Sequence, residues 1–167
     1  FLMIIILEKV ITKKEAKELI KLFKKNKDKA ARFSSNWMDN NSPSAYCIYD
    51  SKLKDNLFNK IIKKIEKLVQ TYYGKKIKIE RSELKEHENK SYHVMHYDRK
   101  YRTSSLGLTS VLYLNNDFVE GHTYFSDFTR VVPDIGRMII YDGLKYEHAV
   151  SQIGGGSRYT IPCWYKI

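Results

Sequence analysis

The sequence has 167 residues, a mass of 19.7 kDa and a formal net charge of +11, with 43% hydrophobic and 29% charged residues. This length and composition predict a single domain covering residues 1–167 and exclude both a wholly disordered chain and a bundle of membrane-spanning helices. The longest strongly apolar run, Phe1 to Leu7, is too short to cross a bilayer, so no membrane segment is expected in this sequence.

The first 75 residues are predicted to form a mainly helical support after a short opening strand. Thr12 and Glu15 match a capping box at the start of a first helix, and apolar residues then recur at helical spacing. A second helix is predicted to begin after residue 50 or 51 and to end at Gly74. Between the helices, the serine- and asparagine-rich segment Phe33 to Pro43 is predicted to be an irregular loop.

The positive charge is concentrated in the half of the sequence that contains these helices. Residues 1–90 contain 22 basic and 12 acidic side chains, whereas residues 91–167 contain 8 and 7. Such an excess is typical of proteins that bind nucleic acid or another polyanion. Lysines on the solvated face of a helix are the commoner explanation, so nucleic-acid binding is the less favoured alternative.

Residues 76–167 have the pattern of an antiparallel β-structure. Short runs rich in valine, isoleucine, tyrosine and threonine alternate with turn signals about ten residues apart. We therefore predict a β-sandwich or barrel that the preceding helices support.

The two cysteines do not form a disulfide framework. Cys47 and Cys163 are far apart in the sequence, so free thiols in a reducing compartment are the favoured interpretation. This favours a cytoplasmic location.

The first candidate metal motif is His96-Tyr97-Asp98. Residues i and i+2 of a strand point to the same face, so the imidazole and the carboxylate could converge on one ion. With a second histidine they would form the two-histidine, one-carboxylate set that binds Fe(II) and leaves positions open for reactants. Alone the motif is weak, and a polar pair on a half-buried strand remains an alternative.

A second cluster supplies the remaining candidates. His148 is predicted to end one strand and Arg158 to start the next, so that a hairpin would place the guanidinium beside the metal. Arginine binds carboxylates bidentately and suits the far end of a dicarboxylate that chelates iron at its near end. His122 competes with His148 as third ligand, but no cation is near it in such a hairpin, so His148 is favoured.

These residues resemble the iron- and 2-oxoglutarate-dependent oxygenases, most closely the prolyl 4-hydroxylase group. The matching pieces, in chain order, are Arg32-Phe33-Ser34-Ser35, His96-Tyr97-Asp98, Thr109 to Asn115, Phe118 to Phe125, Val132-Pro133 with Gly136, His148, Arg158-Tyr159 and Trp164. The resemblance implies an α+β fold with a double-stranded β-helix, or jelly-roll, core over residues 76–167, buttressed by helices in residues 1–75.

The resemblance also implies the site and its cofactors. Fe(II) is expected to be the metal, 2-oxoglutarate and O2 the cosubstrates and ascorbate the reductant. The implied metal ligands are His96, Asp98 and His148; the implied 2-oxoglutarate contacts are Arg158, Tyr113 and Thr160; and the implied substrate contacts are Arg32, Ser34, Arg102 and Trp164. Core packing is an alternative role for Tyr113 and Trp164, and Thr160 and Thr109 could either contact the cosubstrate or simply face the sheet.

The implied reaction is hydroxylation of a C–H bond, with peptidyl proline favoured as target and 2-oxoglutarate decarboxylated to succinate. Another residue, a small molecule or a nucleic-acid base is the alternative target, and a non-catalytic nucleic-acid-binding module is less favoured. Five positions depart from the family pattern, at places where substrate or cosubstrate contacts are expected: His87, His93, Leu106, Glu120 and His122. They weaken the assignment to proline more than the assignment to oxygenases.

Overall fold

The computed structural model describes residues 4–34, 44–98 and 107–166. The helices are α1 (Lys13–Lys25) and α2 (Asn56–Tyr73), and short 3-10 turns cover Lys27–Lys29 and Asp50–Lys52. The strands are β1 (Ile5–Leu7), β2 (Ala31–Ser34), β3 (Ser44–Tyr49), β4 (Lys78–His87), β5 (His93–His96), β6 (Leu108–Tyr113), β7 (Val119–Glu120), β8 (Thr123–Phe125), β9 (Arg130–Val131), β10 (Met138–Asp142), β11 (His148–Val150), β12 (Ile153–Gly154) and β13 (Arg158–Lys166).

The strands form two facing sheets and a small ribbon, all with antiparallel pairing. The major sheet has seven strands in the order β1-β10-β6-β13-β4-β3-β2, and the minor sheet has four in the order β5-β11-β8-β9. Strands β12 and β7 pair separately. This arrangement confirms the predicted α+β jelly-roll fold.

Both helices pack on the outer face of the major sheet. Phe23 of α1 and Ile61 of α2 are fully buried in the same apolar cluster as Leu84 of β4 and Ile161 of β13. Neighbouring residues of β4 and β13 point to the opposite face, where they line a cavity between the sheets. The lysine-rich helices therefore lie on the far side of the sheet from that cavity.

The ends of the helices follow local chemistry. The capping box is confirmed, because Thr12 Oγ1 accepts from the Glu15 amide at 3.1 Å and Glu15 Oε2 accepts from the Thr12 amide at 2.9 Å. Gly74 ends α2 in the left-handed conformation with φ 71°. Helix α2 begins later than predicted, after the cap residue Asp55, because Asp50 instead accepts from the hydroxyl of Ser82 at 2.9 Å and fixes a 3-10 turn against β4.

The helical prediction missed two strands of the major sheet. Phe33 and Ser34 lie in β2, where Phe33 pairs with Ala45 of β3, so the loop prediction is wrong at these two positions. Residues 35–43 of the predicted loop lie outside the described residues. Strand β3 in turn pairs with β4 from Ala45 to Tyr49, and Ala45, Cys47 and Ile48 are buried in this position.

Two smaller expectations can also be compared with the structure. Cys47 and Cys163 are buried free thiols. Within the described residues, neither helix is both long and apolar enough to span a membrane.

Candidate active site

A cavity of about 640 Å³ lies between the two sheets. One side, here called the minor-sheet wall, is formed by β5, the residues that follow it, and β11. The other side, the major-sheet wall, is formed by β4, β6 and β13 with contributions from β2 and β3. Each wall carries a different set of polar side chains.

The minor-sheet wall brings together His96, Asp98 and His148, here called the triad. His96, the last residue of β5, pairs directly with His148, the first residue of β11. One potential ligand atom from each of the three residues lies within 4.8 Å of the others, and His148 Nε2 is 3.7 Å from Asp98 Oδ1. In the described part of the chain this is the single such cluster of histidine, cysteine and carboxylate side chains.

Backbone carbonyls orient both imidazoles of the triad. Nδ1 of His96 donates to the Val94 carbonyl at 2.7 Å, and Nδ1 of His148 donates to the Tyr146 carbonyl at 3.1 Å. Because a carbonyl oxygen only accepts, each Nδ1 carries the proton and each Nε2 keeps its lone pair. Burial lowers the pKa of His96, and it lowers the pKa of His148 to about 4 against the opposing charge of Asp98. Both rings are therefore neutral donors at pH 7.

The carboxylate of the triad is held just as closely. The Thr109 hydroxyl donates to Asp98 Oδ2 at 2.6 Å, and the Asp98 amide donates to the Gly143 carbonyl at 2.8 Å. A Cβ at Gly143 would lie 2.0 Å from Asp98 Oδ2, so any side chain there would displace the carboxylate. Thr109 thus orients Asp98, which differs from the cosubstrate and sheet-facing roles considered from the sequence.

A β-bulge adds a further histidine to the wall. His148 pairs with His96 but Val150 pairs with His93, so two steps along β11 match three steps along β5. On a regular strand His93 and His96 would face opposite sides, whereas here both line the cavity with ring centroids 4.2 Å apart. Sequence alternation alone cannot reveal this placement.

Arg158 lies on the major-sheet wall and is only 2% exposed. Its Nη2 donates to Thr123 Oγ1 and its Nη1 to His87 Nδ1, both at 3.3 Å, and the guanidinium lies 5.1 Å from the centroid of the Tyr113 ring. Its Nε is buried without a hydrogen-bond partner, and no carboxylate of the described residues pairs with it. A permanently charged group is therefore buried with part of its donor capacity unused.

The predicted hairpin between His148 and Arg158 is wrong. Strands β11 and β13 belong to different sheets, and the intervening β12 pairs with β7. Arg158 reaches the cavity because β13 runs antiparallel to β4, where Arg158 pairs with His87. The guanidinium thus faces the triad's cavity from the opposite sheet.

The other predicted 2-oxoglutarate residues lie near Arg158. Thr160 is buried on β13 and lines the cavity, in register with Tyr113 of β6. Tyr113 itself is fully buried, and its hydroxyl makes a 2.6 Å hydrogen bond with Thr123 Oγ1. Burial raises the pKa of Tyr113, so its hydroxyl keeps its proton. Tyr113 therefore packs against the guanidinium of Arg158 and lies outside the lining of the cavity.

The predicted substrate residues have different outcomes. Trp164 lines the cavity at the opposite end of β13 from Arg158. Arg32 is exposed on the edge strand β2, outside the cavity lining. The side chain of Ser34 and all of Arg102 lie outside the described residues. The competing ligand His122 lies outside the triad, with its Nδ1 3.4 Å from Glu120 Oε2.

Sequence reasoning named His87 only as a departure from the family pattern, and it missed three further polar residues of the major-sheet wall. Alternate residues of β4 line the cavity, and we call these four the charged row: Arg81, Glu83, Lys85 and His87. Their alternation within the region predicted to form β-structure was the available signal. Burial, together with the nearby charges of Lys85 and Arg158, holds the pKa of His87 well below its usual range.

Solved structures show where this fold occurs elsewhere. The viral collagen prolyl hydroxylase of Paramecium Bursaria Chlorella virus-1, solved with 2-oxoglutarate, is 16% identical with a TM-score of 0.71, over 97% of this chain and 94% of that chain. A prolyl hydroxylase from Trichoplax adhaerens, in complex with a peptide fragment of the hypoxia inducible factor oxygen degradation domain, is 14% identical with a TM-score of 0.71, over 97% and 82%. The epimerase SnoN from nogalamycin biosynthesis is 15% identical with a TM-score of 0.79, over 98% and 77%.

At these identities the structural likeness shows the fold alone, and no match to a curated protein was found. A sequence family gives the assignment. The profile of the 2OG-Fe(II) oxygenase superfamily matches residues 82–166, just over half of the chain, and this segment carries both the triad and Arg158. The chain therefore belongs to the 2OG-Fe(II) oxygenase superfamily.

Proposed function

We propose that the protein hydroxylates a proline residue of a peptide, using Fe(II) bound by the triad and 2-oxoglutarate bound by Arg158. Membership of the superfamily implies Fe(II), 2-oxoglutarate and O2. The observation that carries the assignment of residues is the buried guanidinium of Arg158, which has no carboxylate partner among the described residues and opens onto the same cavity as the triad.

The residues of the minor-sheet wall fit iron. Two neutral imidazoles and one carboxylate form a donor set that suits Fe(II), and the space beside Asp98 is kept clear by Gly143. Their hydrogen bonds to Val94, Tyr146 and Thr109 fix the donor atoms before any ion arrives.

When bound, the iron with 2-oxoglutarate and O2 supplies the oxidising power to insert oxygen into a C–H bond, while 2-oxoglutarate is converted to succinate and carbon dioxide. The chain's own contribution is placement. Arg158 binds the distal carboxylate through its unused donor, Thr123 and His87 hold the guanidinium, and the burial of Arg158 shields this contact from water. The part of the cavity that extends to Trp164 remains for the substrate.

The proline target is supported by similarity. The fold is similar to prolyl hydroxylases, one of which was solved with a peptide. The lysine-rich helices lie across the major sheet from the cavity, so they offer no surface that leads a nucleic acid to the triad. Hydroxylation of another substrate by the same residues stays the alternative, since an epimerase shares the fold.

The test is a peptide panel assayed for succinate and for an added oxygen atom by mass spectrometry. Proline-containing peptides should raise succinate formation above the uncoupled background and gain oxygen, and peptides with alanine in place of proline should do neither. Ascorbate, the proposed reductant, should prolong turnover. If lysine- or asparagine-containing peptides are hydroxylated instead, the oxygenase assignment stands and the proline assignment fails. The His148→Ala variant is the inactive control.

A further inference from the structure

His87 of the charged row holds Arg158, but metal and 2-oxoglutarate binding do not account for Arg81, Glu83 and Lys85. On the neighbouring strand β13, a matching set of residues pairs with the row: Arg158 pairs with His87, Thr160 with Lys85, and Trp164 with Arg81. The row therefore runs from the Arg158 end of the cavity to the Trp164 end, which is the part left for the substrate. The net charge of the row therefore indicates which charge the substrate should carry.

Two members of the row neutralise each other. Arg81 donates to Glu83 Oε1 through its Nε at 2.8 Å and also through Nη2. The guanidinium of Arg81 lies 4.8 Å from the centroid of the Trp164 ring and 5.2 Å from that of Tyr49. Glu83 is 1% exposed. The Arg81–Glu83 pair is fixed by these hydrogen bonds and ring contacts, and its two charges offset each other.

Lys85 is different. It is partly buried, lines the cavity between Glu83 and His87, and has no ion-pair partner among the described residues. Its charge contributes to the lowered pKa of both His87 and His93, which lie on opposite walls of the cavity. The ammonium group is therefore inside the site and not on the outer surface.

The other charges of the site balance without it. Iron(II) and the 2-oxoglutarate dianion offset each other, Asp98 offsets Arg158, and Glu83 offsets Arg81. The positive charge of Lys85 remains. A substrate carboxylate that enters the cavity would find in Lys85 an ammonium with no ion-pair partner among the described residues, and the two would form a charge-assisted hydrogen bond.

We propose that Lys85 binds a carboxylate of the substrate, so that the enzyme selects C–H bonds close to an anionic group. This inference rests on the proposed function, since it names the chemistry of the substrate for the same site. A carboxylate can reach Lys85 from two sources: the free carboxyl terminus of the target residue, or an acidic side chain beside it. The shared chemistry is an ammonium–carboxylate pair within the cavity.

The experiment uses matched peptides and matched variants. One peptide pair ends in proline as the free acid or as the amide, and a second has aspartate or asparagine after the proline. They are compared on the wild type, Lys85→Met, Lys85→Arg, and Lys78→Met, which removes an exposed lysine at the start of the same strand. The measurements are the KM for peptide, the KM for 2-oxoglutarate, and peptide binding by calorimetry under nitrogen to the metal- and 2-oxoglutarate-loaded protein.

The wild type should prefer the carboxylate member of one pair by about 10-fold or more, the usual value of a hydrogen bond to a charged group. The pair that shows the preference identifies the source of the carboxylate. Lys85→Met should abolish the preference without changing the KM for 2-oxoglutarate, and Lys85→Arg and Lys78→Met should keep it. Thermal unfolding of each variant shows that it is folded.

Two results would overturn the inference. If Lys85→Met raises the KM for 2-oxoglutarate and leaves peptide preference intact, Lys85 serves the cosubstrate. Equal binding of both members of each pair by the wild type would show that the site does not select a carboxylate. Failure of the proposed proline reaction is recognised separately, because then peptides bind under nitrogen but gain no oxygen in air.

Discussion

The two walls of the cavity differ in the charge of the side chains that they present. The minor-sheet wall offers neutral imidazoles whose protons are fixed on Nδ1 by backbone carbonyls, with a single carboxylate. The major-sheet wall keeps cations, above all Arg158, buried among hydroxyl, imidazole and aromatic groups. A metal site needs lone pairs and a dicarboxylate site needs donors, so the jelly roll separates these requirements onto facing sheets.

The two walls also differ in the charge that their buried side chains carry. Burial lowers the pKa of the triad histidines, whereas Arg158 stays charged although burial lowers its pKa as well. On the major-sheet wall Arg158 Nε is buried without a hydrogen-bond partner among the described residues, and on the minor-sheet wall the ligand atoms of the triad lie within 4.8 Å of one another. The predictions below perturb one wall at a time.

Removing a ligand from the minor-sheet wall should have the largest effect. His148→Ala is expected to reduce iron-dependent succinate formation by more than the roughly 100-fold that loss of an outer hydrogen-bond partner costs a metal site. The matched control is His122→Ala, another histidine of the jelly roll, which lies outside the triad. Similar losses in both variants would contradict the assignment of His148.

Crowding the carboxylate should come next. In Gly143→Ala the new Cβ would lie 2.0 Å from Asp98 Oδ2, so the carboxylate must move. We expect iron affinity, measured by competition with a chelator, to fall by about 10- to 100-fold. Gly154→Ala, whose Cβ would meet nothing closer than 3.5 Å, is the control and should bind iron normally.

On the major-sheet wall, Arg158→Met should raise the KM for 2-oxoglutarate by about 10-fold or more while iron affinity is kept. Because the guanidinium is buried without a carboxylate partner, its loss should not lower the unfolding free energy of the protein measured without ligands. The exposed Arg130, changed to methionine, is the control. An unchanged KM in Arg158→Met would separate this residue from the cosubstrate.

The pH dependence of stability should show the smallest effect. The folded-state pKa values of His87, His93, His96 and His148 are lowered, to about 4 for His148, from an ordinary value of 6.5. Below pH 6.5 these histidines therefore bind more protons in the unfolded chain than in the folded chain. The free energy of unfolding decreases as the pH falls towards 4. Denaturant unfolding of the metal-free protein at pH 7.5 and 5.0 should differ by at least about 1.4 kcal/mol. Equal values would show that these histidines titrate normally.

Some of this site follows from local sequence and some does not. The capping box, the glycine that ends α2 and the spacing of His96 and Asp98 are local features, so they could be predicted. The β-bulge beside His148, the hydrogen bond from Thr109 to Asp98 and the close approach of Gly143 depend on strands that meet only after folding. The hairpin prediction for Arg158 was wrong for the same reason, since β11 and β13 join different sheets and the intervening β12 pairs with β7.

The sequence shows the alternating polar residues of the charged row, but it does not show that they face a cavity. Alternating charges on β4 are visible in the sequence, and on a solvent-facing strand they would be unremarkable. Only the position of that face, opposite the triad, shows that Glu83 and Lys85 lie inside a cavity.

The most direct test of the two-wall account is calorimetric titration of 2-oxoglutarate under nitrogen, with and without Fe(II). If the triad holds the iron and Arg158 holds the distal carboxylate, a single 2-oxoglutarate should bind the iron-loaded wild type. Binding should be weakened by about 10-fold or more when either the iron is omitted or Arg158 is changed to methionine. Equal affinity with and without iron, or no effect of Arg158→Met, would contradict the account.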